Sequence, residues 1–333
     1  MPICTTCTTF MPHLYTVYSS AYNTRLEQCP TCRAFADPYV EHDTLTLLID
    51  LILLKRGVYR HLLYNRGARP RRAIDSKNRS DVETDAEEGR SRELSRWALV
   101  IRLGLTLVFV DAFIRWSYLN ADHPPYISSP WTLQTIDMFA KTYIGCLAET
   151  IAFHGGVMIS CYLLQNLLLA MRETLQLYLG LGQDVASKQR SSAIRKEFRF
   201  SLIPLSLFYS SLTKLFLLFL LTIWRPSRSS SKLDPEAAFQ STPHWAISAS
   251  AQKALSLLDY LDDDRLDRGW IVRNVLGGMS AGFGLRVILD SHPIFTTIII
   301  VIGWATKTVV ARFVGDWIGG NQIAEIWMAY SIP

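Results

Sequence analysis

Four of the six cysteines fall into two C-x2-C pairs, Cys4/Cys7 and Cys29/Cys32, with 21 residues between them. Two residues between cysteines let one tight turn aim both sulfurs at a single ion, while nearby backbone N–H groups favour the thiolate. Two such knuckles brought face to face make a tetrahedral four-sulfur site, the donor set that suits Zn²⁺. Redox cysteines or a disulfide pair are the competing readings of this spacing. A catalytic zinc keeps one position open and has an acid or base beside it. Four thiolates leave no open position, and no HExxH or HxE…CxxC pattern accompanies them. His13 and His42 are near in sequence and read as surface residues. Zinc is therefore expected as a structural cofactor.

A second set of groups is notable for where it lies. Asp111, Arg115, Glu149, His154, Lys214 and Arg286 all fall inside long apolar blocks. Ionisable groups in hydrocarbon are costly, so they face one another or a polar cavity and become functional candidates. Asp111 and Arg115, four apart on one helix, can pair. Glu149 with Lys214 or Arg286 is the arrangement expected to border a pocket the size of a lipid headgroup. A salt-bridge network that only locks helix packing is the alternative. His154, in "AFHGG", is the one isolated candidate for catalysis. No glycine-rich phosphate cradle, nucleophile elbow or pair of catalytic carboxylates goes with it, so the chain reads as a non-enzyme.

The elements that must carry these groups follow from composition. Of the 333 residues, 49% are hydrophobic, 19% charged and 11% aromatic, a balance that suits membranes and their interfaces. The net charge of +5 is spread between apolar blocks and not gathered on one soluble face, which argues against a nucleic-acid binder. Apolar stretches near 97–119, 143–170, 200–224 and 294–313 are long enough to cross hydrocarbon, which takes about 20 residues. A glycine-rich stretch at 271–289 reads as a fifth span or a re-entrant helix. Its Gly278-x-x-x-Gly282 allows close helix contact. The fold class is thus a multispanning α-helical membrane protein of four to five spans with a small N-terminal β zinc ribbon.

Four parts are expected. Residues 1–42 form the ribbon, with "HLYTVY" and "TRLEQ" as its hairpin. Residues 43–66 form an amphipathic helix capped at Asp43, apolar first and then basic through Lys55, Arg56, Arg60 and Arg66. That order suits a helix lying on an anionic leaflet, or one packed on the ribbon. Residues 67–96 read as a disordered charged linker. Residues 97–333 are the membrane domain, ending in an interfacial segment anchored by Trp317, Trp327 and Tyr330. Cys146 and Cys161 read as ordinary buried thiols. The chain opens without a signal-peptide pattern, so the first span is expected to insert itself. Basic residues crowd the stretches before the first span and between the second and third. This places the N-terminus and the 171–199 loop in the cytosol, and the 120–142 and 225–270 loops across the membrane.

The run C-x2-C…C-P-x-C, followed by "ADPYVEHD", "LLIDLILLK" and "YRHLLYNR", resembles the homology domain of the ARV family. "DAFIRW", Glu149, "TKL" around Lys214 and "LRVIL" around Arg286 resemble it more loosely in the membrane part. The resemblance implies an endoplasmic-reticulum membrane protein, shared with the Golgi in some members. It also implies four cysteine zinc ligands and a role in sterol movement, sphingolipid balance and delivery of glycosylphosphatidylinositol intermediates. The expected partners are membrane lipids. A scaffold whose ribbon recruits a lipid-biosynthetic enzyme is the alternative function.

Overall fold

A computed structural model of the chain describes residues 2–18, 24–68, 70–72, 82–119, 133–179, 194, 197–223 and 271–330. The 225–270 loop, most of the 180–199 segment and residues 73–81 of the linker lie outside these described residues.

The ribbon is built on β1 (Tyr15–Val17) and β2 (Thr24–Leu26), antiparallel with Thr16 opposite Arg25. A third strand, β3 (Arg71–Arg72), runs parallel to β1 with Thr16 opposite Arg71. The stretch read as linker therefore begins by completing the ribbon's sheet. Beneath it, Met11, Leu14 and Ala36 pack with the cysteines into a small core.

The helix expected over 43–66 is two helices and a turn. In α1 (Thr44–Ile52) the Asp43 carboxylate accepts from the Thr46 N–H at 3.3 Å. The chain then reverses through Leu54, whose φ of 56° is left-handed. It continues as α2 (Arg56–Arg60), widening into a π turn over His61–Asn65. Asp50, which interrupts the apolar run, fixes this break. It is buried, pairs with Lys55 at 2.7 Å, and its carbonyl accepts the Lys55 N–H at 3.0 Å.

Among the described residues five helices follow: α3 (Val82–Leu119), α4 (Leu133–Leu179), α5 (Leu202–Ile223), α6 (Gly277–Leu289, entered by a π turn at Ile271–Leu276) and α7 (Pro293–Tyr330). Four contain stretches long and apolar enough to cross a membrane: Gly89–Ser117, Thr135–Met171, Leu202–Leu221 and Pro293–Ile318. The first begins earlier than expected, because residues 82–96 are helical and not a disordered linker. They are rich in helix formers and grow from an already formed span, so no new nucleus is needed. The shorter α6 lies antiparallel along α5. Gly277 meets Lys214, Gly284 meets Ser206, and Ile288 shares a core with Leu202 and Leu205.

Glycine sets the closest helix approach between α4 and α7. A Cβ on Gly303 would fall 2.5 Å from Val157, and one on Gly156 would fall 2.8 Å from Thr306. The Gly278/Gly282 pattern does not serve this purpose, since a Cβ on Gly282 would meet nothing within 4 Å. The end of α7 also departs from expectation. Val314 and Trp327 both reach Gly145, yet thirteen positions of straight helix would part them by about 20 Å. The helix therefore does not run straight between Val314 and Trp327. Trp317 stays exposed, but Trp327 is buried in the bundle and does not act as an interfacial anchor.

Candidate functional sites

The two cysteine turns are copies of one local design. In each, the first cysteine's N–H donates five residues ahead, Cys4 to Thr9 O at 2.9 Å and Cys29 to Ala34 O at 2.8 Å. The same cysteine's carbonyl accepts from four residues ahead, from Thr8 at 3.0 Å and from Arg33 at 2.9 Å. Thr8 and Arg33, each just after the second cysteine, have left-handed φ of 65° and 59°. This geometry turns both sulfurs inward. All four sulfurs lie within 4.8 Å of one another, with Cys4–Cys32 at 3.7 Å and Cys7–Cys29 at 3.4 Å. Thiolates 2.3 Å from a tetrahedral zinc would be about 3.8 Å apart, so the cluster fits the ion with little adjustment. As thiols the four divide. Burial pushes Cys4 up to about 12. At Cys7 burial also pushes upward, but hydrogen bonds from the Thr9 side chain and backbone prevail and bring it down to about 6.

The knuckles are fastened to the helices by residues that sequence reasoning did not single out. Asn65 Oδ1 accepts from Ile3 N at 2.9 Å, while its Nδ2 donates to Ile3 O at 2.8 Å and to Asp37 Oδ2 at 2.7 Å. The same Asp37 oxygen lies 2.7 Å from His61 Nδ1. Asp37 and Asn65 are buried, so each depends on these partners. The signal was present in "ADPYVEHD" and "YRHLLYNR", as short polar residues within an apolar pattern.

The basic residues of 43–66 have separate roles. Arg60 donates to Thr5 O at 2.7 Å and Thr6 O at 2.9 Å, which clamps the first knuckle. Lys55 holds Asp50, and Arg56 and Arg66 are exposed. The segment also packs against the bundle. Tyr59, Leu63 and Tyr64 are buried against Leu202, Leu205 and Ile288, and Ile52 O accepts from Thr213 Oγ1 at 3.0 Å. Thr213 is eleven residues into α5, about 16 Å beyond Leu202. The α1–α2 hairpin is thus built into the flank of the bundle, and Tyr59 and Tyr64 belong to its core. Burial pushes both phenols well above the usual range.

Inside the bundle, Arg115 and Glu149 form a two-pronged pair at 3.1 and 2.8 Å, and Arg115 also reaches Asp111 Oδ2 at 3.2 Å. Arg115 is 2% exposed and Glu149 1%. Two groups unforeseen in the sequence complete the cluster. Lys307 of α7 stands 3.7 Å from Glu149 Oε2, and the Trp327 indole N–H donates to Glu149 Oε1. The Trp327 ring also lies 4.6 Å from the guanidinium carbon of Arg115, a cation–π contact. Arg286 is exposed on α6 and does not join the cluster. Lys214 faces a neighbouring cavity of about 80 Å³ that all five helices border. Asp111, His154 and Lys307 line it too, so the pocket adjoins the ion cluster but is not bordered by Glu149.

A four-sulfur ribbon locked onto a bundle of bilayer-length apolar helices defines a multispanning membrane protein whose head has a cysteine cluster able to hold a metal ion. Residues 3–239 match the Arv1-like family, and the chain belongs to it. It is 51% identical over 63 residues to Protein ARV1 of Saccharomyces cerevisiae, covering 19% of each chain. It is 31% identical over 150 residues to Protein ARV1 of Eremothecium gossypii, covering 41% of this chain and 48% of that one. Protein ARV 2 of Arabidopsis thaliana is 47% identical over 62 residues, 19% of this chain and 27% of its own. The chain thus spans less than half the length of these relatives. No solved structure matches it significantly.

Proposed function

We propose that this chain is a non-catalytic mediator of lipid homeostasis in the endoplasmic-reticulum membrane, with the ribbon in the cytosol and a structural zinc in its four cysteines. Family membership supports the lipid role in general terms. The observation that supports the finer reading, movement of sterol and related lipids, is the largely apolar cavity bordered by all five bundle helices, with Asp111, His154, Lys214 and Lys307 on its walls, which has room for a lipid's polar group and not for a sterol's ring system. Sphingolipid balance and delivery of glycosylphosphatidylinositol intermediates are part of the same reading, with the Golgi as a second location. Its test is lipid mass spectrometry of isolated organelles from cells with and without this chain. Sterol should accumulate in the endoplasmic reticulum in its absence, and an unchanged distribution would sink the reading.

A scaffold that recruits a lipid-biosynthetic enzyme is favoured by a different observation. Leu45, Leu48 and Leu53 of the hairpin and Phe35 of the ribbon are exposed together with the metal module. Residues 1–72 tethered to an unrelated span should then restore much of the function. Failure of that chimera with its ribbon folded would leave the lipid-handling reading.

A further inference from the structure

The α1–α2 hairpin meets the bundle far from the end where α5 begins. Ile52 O accepts from Thr213 Oγ1 at 3.0 Å, and Thr213 lies in the middle of the apolar stretch Leu202–Leu221, about 16 Å past its start. A hydrocarbon layer is about 30 Å thick, so the hairpin's tip reaches roughly half-way across it. On the return arm, Tyr59 packs edge-on against Phe283 of α6 at 5.5 Å, beside Gly284, which meets Ser206 near the start of α5. The chain therefore descends through α1, turns at Leu54 and climbs back along α5 and α6.

The backbone at the turn is finished as lipid requires. The last four carbonyls of a helix have no partner within it. Water serves them at a surface, but in hydrocarbon each must be satisfied by the protein. In α1 all four are. Ile49 O accepts from Leu53 N at 2.9 Å, Asp50 O from Lys55 N at 3.0 Å, Leu51 O from Leu54 N at 3.1 Å, and Ile52 O from Thr213. The Asp50 and Lys55 side chains also neutralise each other at 2.7 Å. Arg56, exposed beside them, has the reach to snorkel toward the headgroups. The opposite end of α1 has the reverse character, with Glu41, His42 and Asp43 all exposed.

The outer face of α1 points the same way. Leu51 is buried and Leu47 half-buried against the bundle. Leu45, Leu48, Ile49 and Leu53 are 44–62% exposed, along one stripe at i, i+3, i+4 and i+8. Phe216 and Leu220 of α5, one and two turns past Thr213, are also exposed and belong to a stretch of bilayer length. The apolar surface of α1 thus continues one that already faces lipid.

We infer that the α1–α2 hairpin is a re-entrant element seated in the leaflet on the ribbon's side, with Leu45, Leu48, Ile49 and Leu53 against lipid acyl chains. The four-sulfur module is thereby held at the bilayer by its own segment, ahead of the first span. The inference rests on the long helices crossing a membrane and not on what the protein carries there.

The test places a fluorescent amino acid at Leu53 of the full chain, in phosphatidylcholine nanodiscs whose lipids have a nitroxide either near the headgroup or near mid-chain. The same label at Phe216 marks a lipid-facing position in the span, and one at Phe35 marks the ribbon. Quenching at Leu53 should be strongest from the mid-chain nitroxide and within about twofold of that at Phe216, with roughly tenfold less at Phe35. Leu48, on the same stripe, takes the label if the first variant does not fold. A maximum from the headgroup nitroxide would make the segment a surface helix and overturn the re-entrant hairpin. No quenching from either position would leave these leucines in water, free for a protein partner, and overturns it too. That last result would strengthen the scaffold and leave lipid handling by the bundle standing.

Discussion

In the ribbon, four sulfurs come from two turns that repeat the same hydrogen bonds, and each turn shapes itself within six residues. In the bundle, the cluster around Arg115 and Glu149 draws on α3, α4 and two separate stretches of α7, and no single segment shapes any of it. The ribbon gathers its cysteines locally, in an arrangement that an ion would hold together. The bundle gathers its charges at long range and uses them to hold one another. With zinc as the ribbon's ion, the first site would be lost by removing one atom from outside the chain, the second only by changing the chain.

Loss of metal should have the largest effect. Structural zinc in small modules is worth an apparent ~10–16 kcal/mol, so a strong chelator or Cys7→Ser should unfold the ribbon and expose residues 1–18 to protease. The bundle helices should persist by circular dichroism. Their simultaneous loss would mean that the two regions are one cooperative unit. The metal site also sets a pH dependence. At neutral pH Cys7 is already largely thiolate and Cys4 a thiol, so zinc binding must displace the Cys4 proton. Zinc affinity should therefore fall as pH falls, and more steeply below about 6, where Cys7 must give up its proton as well. A competition titration with a chromophoric chelator at several pH values checks the slope.

In the bundle, Glu149→Ala removes the two-pronged partner of buried Arg115, leaving it Asp111 as carboxylate partner, and should cost about 3–5 kcal/mol, read as loss of monodisperse protein in detergent. Adding Arg115→Met should recover stability relative to that single variant. If the double variant is worse, the pair has a role beyond neutralising itself. At the joint between the regions, Asn65→Ala removes three hydrogen bonds, one of them to the Asp37 carboxylate. The Asp37 carboxylate keeps His61 and the Tyr39 N–H, so the expected cost is that of the lost bonds, about 1–3 kcal/mol, with faster proteolysis of the ribbon while zinc is still bound. The smallest effect is expected from Thr213→Val. It removes one hydrogen bond to Ile52 O, worth about 0.5–1.5 kcal/mol, and should raise amide exchange across 44–56 without altering the metal site.

The same contrast explains what could be read from the chain. The cysteine cluster was legible because its geometry is local, and β1 and β2 fall where the alternation placed them. The four long apolar helices were legible from composition. In the bundle, Asp111 and Arg115 were legible as an i,i+4 pair, but Glu149 was placed with Lys214 or Arg286, and its contacts with Arg115, Lys307 and Trp327 were not foreseen. Nothing local separates these choices, since which face of each helix turns inward is decided by packing. Lys307 was hidden in a span with no other acidic or basic neighbour until Arg312. Trp327 was misread because an aromatic residue near a chain end has the same pattern whether it anchors at an interface or returns to the core. The break at Leu54 was missed because a left-handed leucine has no propensity signal. Asp50, its cause, was noted only as an interruption.

The distribution of the ion cluster along the chain has a consequence for biosynthesis. The ribosome delivers α3 and α4 first, and with them Asp111, Arg115 and Glu149, two carboxylates against one guanidinium. Lys307 and the indole donor arrive only with α7, the last of the described helices along the chain. Until then Glu149 lacks the ammonium and the indole N–H that stand beside it in the folded bundle. A chain stopped short of α7 is therefore chemically distinguishable from one that includes it, and docking of that helix completes the set of donors around Glu149.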